Sequence, residues 1–212
     1  MRSKAPPKAR GSILDKTALT DGPFLLFVTG LFFGYTGFYI VLNYIQLFAI
    51  DHSLTAPSLA DYLLVIINAS SLIGRVGGGF YADRIGSIHA QAVVCLIAAL
   101  LTYSLLAIHN AAGLVVYSIL FGLCSGTFTG LPAAGVVRLS ADKSKIGTRL
   151  GMTLAYVGVG VLVGNPIAGA ILGRRGNWTG LIVFCATLLV VSGATMLTSR
   201  VMKVGWGLKQ RL

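Results

Sequence analysis

Apolar residues in this chain fall into six long runs separated by short polar stretches. Each run is close to or longer than the roughly 20 residues that an α-helix needs to cross a bilayer. Because backbone groups in hydrocarbon must form hydrogen bonds within their own segment, the runs predict six transmembrane helices in an all-α, polytopic membrane protein. The runs cover residues 24–50, 59–80, 88–108, 112–137, 150–173 and 178–200.

The segments that flank these runs are polar and basic. Residues 1–22 carry five Lys and Arg residues among Pro, Gly and Ser and lack the apolar core of a secretory signal, so we expect a disordered cytoplasmic lead-in. Residues 23–201 make up the predicted six-helix transmembrane domain. Residues 202–212 are expected to form a short basic cytoplasmic tail.

Positive charge alternates along the chain and predicts the orientation of the helices. Of the 17 Lys and Arg residues, all but Arg174 and Arg175 fall on one side of the membrane when successive helices run in opposite directions. Because basic residues are retained on the cytoplasmic side, both termini are expected there. We expect a multi-pass protein of the plasma membrane rather than of an organelle.

Composition excludes several other classes of protein. Hydrophobic residues make up 55% and charged residues 11% of the chain, against about a quarter charged in a soluble domain. The net charge of +11 lies at the ends of the apolar runs and not on one soluble face, so nucleic acid is not an expected partner. With no Glu and three scattered His residues, we expect no enzyme, no metal site and no cofactor.

Polar side chains recur on one face of the first predicted helix. Tyr35, Tyr39, Asn43 and Gln46 are spaced by four, four and three residues, which places them on a common face. A polar stripe in a membrane helix faces protein or water. It could hold the polar end of a solute or form hydrogen bonds between helices, and the pattern alone favours neither.

The second predicted helix carries Asp61, Asn68 and Arg75 at steps of seven residues, close to one stripe. Asp61 and Arg75 are about 21 Å apart along the helix axis, too far for an ion pair. An arginine at membrane depth is costly unless it faces a bundle interior or a wet cavity. Arg75 is therefore a candidate for binding a substrate carboxylate with its guanidinium fork. The alternative is that its side chain extends to the cytoplasmic interface.

Glycines spaced by four residues predict close contacts between helices. These contacts could be static packing or surfaces on which helices slide. The glycines are Gly122, Gly126 and Gly130 in the fourth run, and Gly160 with Gly164 and Gly169 with Gly173 in the fifth.

The sequence Gly79-x-x-x-Asp83-Arg84-x-Gly86, between the second and third runs, resembles the signature loop of the major facilitator superfamily. In that superfamily the loop joins the second and third helices of each six-helix half, and the resemblance implies a conformational gating motif. Two basic residues that follow the last glycine in the family are absent here. Physically, we expect Gly79 and Gly86 to permit tight turns, and Asp83 and Arg84 to cap helix ends.

Three further stretches resemble the C-terminal half of fungal monocarboxylate-transporter-like proteins: residues 68–75, 146–152 and 164–169. In animal monocarboxylate transporters an Asp four residues before the arginine takes part in proton-coupled binding. Ser71 stands at that position here, so proton symport is not implied. The candidate substrate-binding residues are Arg75, Ser71, Asn68, Tyr35, Tyr39 and Asn43.

The resemblance implies a secondary transporter, or half of one, that moves a small organic anion such as a monocarboxylate by alternating access. Family members have twelve helices, and the transport cavity lies between their two halves. The expected partners are therefore the lipid bilayer, the anion, and a second half or a second copy of this chain. The alternative is a transport-inactive truncated fragment or an accessory membrane protein.

Overall fold

The computed structural model describes residues 14–55, 57–140 and 142–205, and these residues form α-helices, short 3-10 helices and turns without a strand. The predicted all-α class is confirmed. The α-helices are α1 (Gly22–Asp51), α2 (Pro57–Ile85), α3 (Ser87–Ser104), α4 (Ala111–Gly130), α5 (Pro132–Leu139), α6 (Ile146–Leu172) and α7 (Trp178–Val204).

Six spans in the described part of the chain are long and apolar enough to cross a membrane, as predicted. The fourth span, Ala111–Leu139, is not one continuous helix. Its two parts, α4 and α5, meet at Leu131 because Pro132 has no N–H to donate to the preceding turn. The prediction of an unbroken helix over 112–137 is wrong at this point.

The core forms where four pairs of helices pack along their length. Helix α1 packs on α7 and α6, α2 packs on α4, and α3 packs on α7. Large aromatic side chains fill the centre, among them Phe27, Phe38, Phe121 and Phe128, all of which are fully buried. One face of α2 and about half of the residues of α6 remain exposed in this arrangement.

Glycines bring α2 and α4 into backbone contact, as their spacing predicted. A β-carbon added at Gly122 would lie 2.5 Å from the Ile67 carbonyl oxygen, and one at Gly126 would overlap with the Ser71 carbonyl. Gly164 packs in the same way against Thr36 of α1, where a β-carbon would lie 2.5 Å from the threonine methyl group.

Gly173 has a different role from the one that its spacing predicted. It follows the last residue of α6 with φ +51, and its N–H donates to the Gly169 carbonyl. A positive φ at the end of a helix favours glycine. Gly173 therefore ends the helix and does not form a contact between helices.

Residues 14–22 are ordered, which corrects the prediction that the whole lead-in is disordered. Lys16–Thr20 form a 3-10 helix whose N-cap is Asp15, and α1 begins at Gly22. Residues 1–13 lie outside the described residues. At the other end, α7 continues to Val204, and residues 206–212 of the predicted tail are also outside the described part.

The predicted turn at Gly79 is not present, because α2 continues to Ile85. Asp83 and Arg84 lie exposed in the last turn of the helix. Gly86 forms the turn to α3 with φ +94. The glycine prediction is correct at Gly86 and wrong at Gly79, which lies within the helix with no heavy atom near its missing β-carbon.

Candidate functional site

The polar stripe of α1 lies at an open face of the bundle. Tyr39 is 39% exposed and Asn43 is exposed, while Tyr35 and Gln46 are partly buried. The rings of Tyr35 and Tyr39 stack with 6.2 Å between their centroids. The predicted common face is confirmed, and the two tyrosines form one aromatic surface on it.

The stripe of α2 is also exposed, at Asp61, Asn68 and Arg75. The amide nitrogen of Gln46 on α1 donates to an Asp61 carboxylate oxygen over 3.0 Å, which joins the two stripes at one end. We call the exposed side chains of both stripes the polar face. It is the part of the described structure where a solute could meet several polar groups within the spans.

Arg75 is exposed on this face, and its stem rests on α4. A β-carbon added at Gly130 would lie 3.6 Å from Arg75 Cγ, an ordinary contact distance, so the stem of the arginine runs beside α4 at this point. The guanidinium lies within electrostatic range of the Tyr35 hydroxyl. Among the described residues, no hydrogen bond or ion pair forms to Arg75. The charge is therefore available to a ligand.

Tyr35 is held in place from behind by α4. Its ring packs against Phe128 at 5.0 Å between centroids, and Phe128 in turn stacks on Phe38 at 4.8 Å. Both phenylalanines are fully buried. This aromatic packing fixes the position of the tyrosine beside Arg75.

Asn43 contacts a residue that the sequence did not identify as part of a site. Its amide donates to the Asn165 side-chain oxygen on α6 over 2.9 Å. Tyr44 donates to the Asn165 carbonyl over 3.4 Å. The signal in the sequence was an Asn-Pro pair inside an apolar run, since Pro166 leaves a backbone group of α6 without its helical donor.

Two predicted contributors to the site form bonds within their own helix. The Ser71 hydroxyl donates to the Asn68 carbonyl over 2.7 Å and is buried in the contact between α2 and α4. The Asn68 amide donates to the Leu64 carbonyl over 2.9 Å, although its side chain remains exposed. Asn68 therefore lies on the polar face and Ser71 does not.

A second charged cluster joins the start of α6 to the segment before α1. Arg149 is only 6% exposed, and its guanidinium nitrogens lie 3.0 Å from a carboxylate oxygen of Asp15 and 3.1 Å from one of Asp21. The Arg149 guanidinium also stacks over the Phe24 ring at 5.0 Å. Sequence reasoning missed this cluster, because its members are more than 120 residues apart and no local pattern pairs them.

The charge state of Asp15 follows from its neighbours. The Thr17 hydroxyl donates to this carboxylate over 2.6 Å, and Lys145 lies 3.3 Å away. The Thr17 hydrogen bond, with those of Arg149 and Lys145, holds the pKa of Asp15 well below its usual range, against the opposing effect of burial. Asp15 is therefore ionised at neutral pH and balances the buried arginine.

Metal binding has no obvious site in the part of the chain that the structure describes. No group of three or more His, Cys, Asp and Glu side chains there is close enough to hold an ion. The three cysteines are free thiols, and Cys95 and Cys185 are buried among apolar residues.

The six membrane-spanning segments agree with a comparison against known families. Residues 27–206 match the family model of the Major Facilitator Superfamily, which covers most of the chain. The chain belongs to the major facilitator superfamily.

Three curated relatives show which proteins the chain is similar to. The chain is 39% identical over 190 residues to the MFS-type transporter dbaD of Emericella nidulans, covering 89% of this chain and 43% of that protein. It is 32% identical over 193 residues to the aspyridones efflux protein apdF of the same species, covering 91% and 39%. It is 30% identical over 203 residues to the fujikurins efflux protein of Gibberella fujikuroi, covering 95% and 43%. The chain thus spans less than half the length of these relatives.

Proposed function

We propose that this chain forms half of a secondary transporter that moves a small organic anion by alternating access. The observation that carries the proposal is the position of Arg75: it lies exposed on the polar face, inside a spanning helix. A guanidinium offers a carboxylate both charge and two parallel hydrogen bonds. An anion at this position would compensate a charge that is costly to leave alone at membrane depth.

The position of Arg75 along α2 leaves two readings of its side chain to be separated by experiment. Arg75 lies ten residues before the end of the helix, about 15 Å along the axis. The apolar run that contains it ends at residue 80, about 8 Å away, which an arginine side chain can reach. Extension to the interface is therefore the alternative to anion binding, and a lysine at position 75 distinguishes the two.

The proposed binding set is Arg75 with Tyr35, Tyr39, Asn68 and Asn43. The tyrosine pair would contact the body of the anion beside the guanidinium, since aromatic faces bury apolar area and the hydroxyls remain able to donate. We leave Ser71 out of this set because its hydroxyl is bonded within α2 and buried against α4.

The substrate class and direction of transport are parts of the proposal. A monocarboxylate would satisfy Arg75, and so would a larger acid with one anionic group. Two of the relatives are called efflux proteins, for aspyridones and for fujikurins. These names support export as the direction of transport, and we propose that the exported solute is an organic acid that leaves the cytoplasm.

The polar face also defines the proposed partner. Tyr39, Asn43 and Arg75 would be poorly placed against lipid tails, so we propose that a second six-helix half, or a second copy of the chain, covers them. Gly79, Asp83, Arg84 and Gly86 would act at the cytoplasmic end of α2 when the halves rock. The plasma membrane is the proposed location.

A second candidate function is an accessory or transport-inactive membrane protein. It is favoured by one observation: Ser71, which stands where animal monocarboxylate transporters have an Asp, is bonded within α2 and buried. The two candidates differ in counterflow, the uptake of a labelled anion into vesicles preloaded with the same unlabelled anion.

We would reconstitute the chain with and without the part of the MFS-type transporter dbaD that it does not match, and measure counterflow of labelled benzoate. Transport in either preparation supports the transporter. Well-inserted protein that exchanges no benzoate, lactate or longer-chain acid in either preparation supports the inactive candidate.

A further inference from the structure

The break between α4 and α5 leaves one backbone carbonyl without its helical donor. In a continuous helix the carbonyl of Phe128 would accept from the N–H of residue 132, four positions later. Residue 132 is proline and has no N–H. Helix α5 begins at Pro132, and the N–H of Gly135 donates to the Leu131 carbonyl over 3.1 Å.

A glutamine side chain from another helix supplies the missing hydrogen-bond donor. The side-chain amide of Gln91, on α3, donates to the Phe128 carbonyl over 3.1 Å. Gln91 is 0% exposed, so its amide is fully removed from water. Burying an amide is unfavourable unless it forms hydrogen bonds. This bond is therefore the reason that a polar side chain is tolerated there.

The same amide is only half satisfied. Its oxygen, Oε1, is buried and accepts no hydrogen bond from the described residues. A leucine or methionine would fill the volume without this unpaired group. That an amide stands here despite the penalty indicates that the bond to Phe128 has a role beyond packing.

Phe128, whose carbonyl accepts the hydrogen bond from Gln91, also contacts a residue of the polar face. The Phe128 ring packs against Tyr35 at 5.0 Å. Two residues further on, Gly130 provides the surface on which the stem of Arg75 rests, with 3.6 Å from its missing β-carbon to Arg75 Cγ. A shift of the last turn of α4 would move the supports of both Tyr35 and Arg75.

We propose that Gln91 is a positioning residue for the anion site: it replaces the N–H that Pro132 lacks and so fixes the last turn of α4 beneath Tyr35 and Arg75. Gln91 does not touch the anion. This inference rests on the proposed function in one respect, namely that the site beside α4 binds an anion. The hydrogen bond by which Gln91 replaces the missing N–H does not depend on what is transported.

The test is a double-mutant cycle between the two residues. Gln91→Met removes the donor and keeps the volume, and Pro132→Ala returns an N–H to residue 132 that can bond the Phe128 carbonyl. We would measure hydrogen exchange of the amides of residues 129–131 and 133–136 in the purified chain. Losing one buried hydrogen bond should speed their exchange about tenfold in Gln91→Met. In the Pro132→Ala background the same change should speed it less than about twofold.

Thr102→Val is the matched control. Thr102 is also on α3 and 0% exposed, and its hydroxyl donates to the Ala98 carbonyl of its own helix over 2.8 Å. Its loss should leave exchange at residues 129–136 unchanged. Equal acceleration by Gln91→Met in both proline and alanine backgrounds would overturn the proposal.

A second measurement separates positioning from packing. In vesicles that contain the chain with its second half, Gln91→Met should raise the KM for benzoate several-fold at unchanged levels of inserted protein, and Pro132→Ala should restore it. Rescue of exchange with no change of KM in Gln91→Met would overturn the role at the site. If Arg75→Ala leaves transport intact while the exchange cycle holds, the proposed anion contact fails and the replacement of the missing N–H stands.

Discussion

Gly74 of α2 packs directly onto the main-chain carbonyl of Leu123 on α4, so that a β-carbon at position 74 would overlap with it. Gly77, one turn along the same helix, has no neighbouring heavy atom within 4 Å of its missing β-carbon. The two glycines lie three residues apart in the same helix, but only Gly74 contacts a neighbouring helix. The contact at Gly74 indicates that the two helices approach as closely as their backbones allow.

We therefore expect Gly74→Ala to destabilise the chain and Gly77→Ala to be neutral or slightly stabilising. At Gly74 the helices must separate, which costs roughly 1–3 kcal/mol. At Gly77 alanine improves helix propensity by up to about 1 kcal/mol. Thermal unfolding of the purified chain in detergent measures both. Equal effects of the two substitutions would contradict the close contact between α2 and α4.

Replacement of Arg149 should destabilise the fold, because its guanidinium is buried and joins two carboxylates. Arg149→Lys keeps the charge but cannot reach Asp15 and Asp21 together, since an ammonium lacks the planar fork. We expect its unfolding midpoint to fall by about 5 °C or more. Arg138→Lys, at an exposed position of α5, is the matched control and should change the midpoint little. Identical midpoints for the two variants would show that the buried cluster contributes nothing.

The lowered pKa of Asp15 predicts a specific dependence on acid. The folded pKa lies below the unfolded value of about 3.9, so the carboxylate stabilises the fold above that pH and loses this effect as pH falls through the folded value. The difference in unfolding midpoint between the natural chain and Asp15→Asn should therefore be constant from about pH 7 to 5. It should shrink below about pH 4. A difference that grows in acid would contradict the assignment.

Topology is tested by cysteines at the two ends of α6. Lys143→Cys and Arg175→Cys both lie in exposed turns, on sides that the basic residues predict to be cytoplasmic and external. A membrane-impermeant maleimide should label Arg175→Cys on intact cells and should reach Lys143→Cys only after permeabilisation. The reverse pattern would invert the predicted orientation.

Much of the fold could be predicted because a bilayer demands long apolar helices, and these are visible in any window of the sequence. The face of α1 that carries Tyr35 and Tyr39 followed from helical periodicity alone. The burial of Ser71 could not be predicted in this way. Helical periodicity places a residue on one face of its helix, but it does not show which neighbouring helix packs over the edge of that face. The buried pair of Asp15 and Arg149 joins distant segments, and only the folded structure brings them together.

The break in the fourth span had a local signal that the apolar pattern concealed. Pro132 interrupts a helix whatever its surroundings, yet the residues on both sides of it are apolar and continue the run. The replacement of the missing N–H by Gln91 could be recognised only in the folded structure, since this donor to the Phe128 carbonyl comes from another helix.

The central claim is that Arg75 binds the transported anion, and the most direct measurement is benzoate counterflow by Arg75→Lys in vesicles that contain the chain with its second half. Lysine keeps the charge and loses the fork, so transport should fall about tenfold or more at equal insertion, and Arg75→Ala should reduce it further. Arg174→Lys, between α6 and α7, is the control and should transport normally. Near-normal transport by Arg75→Lys would contradict the claim, because a side chain that only places charge at the interface can be a lysine as well as an arginine.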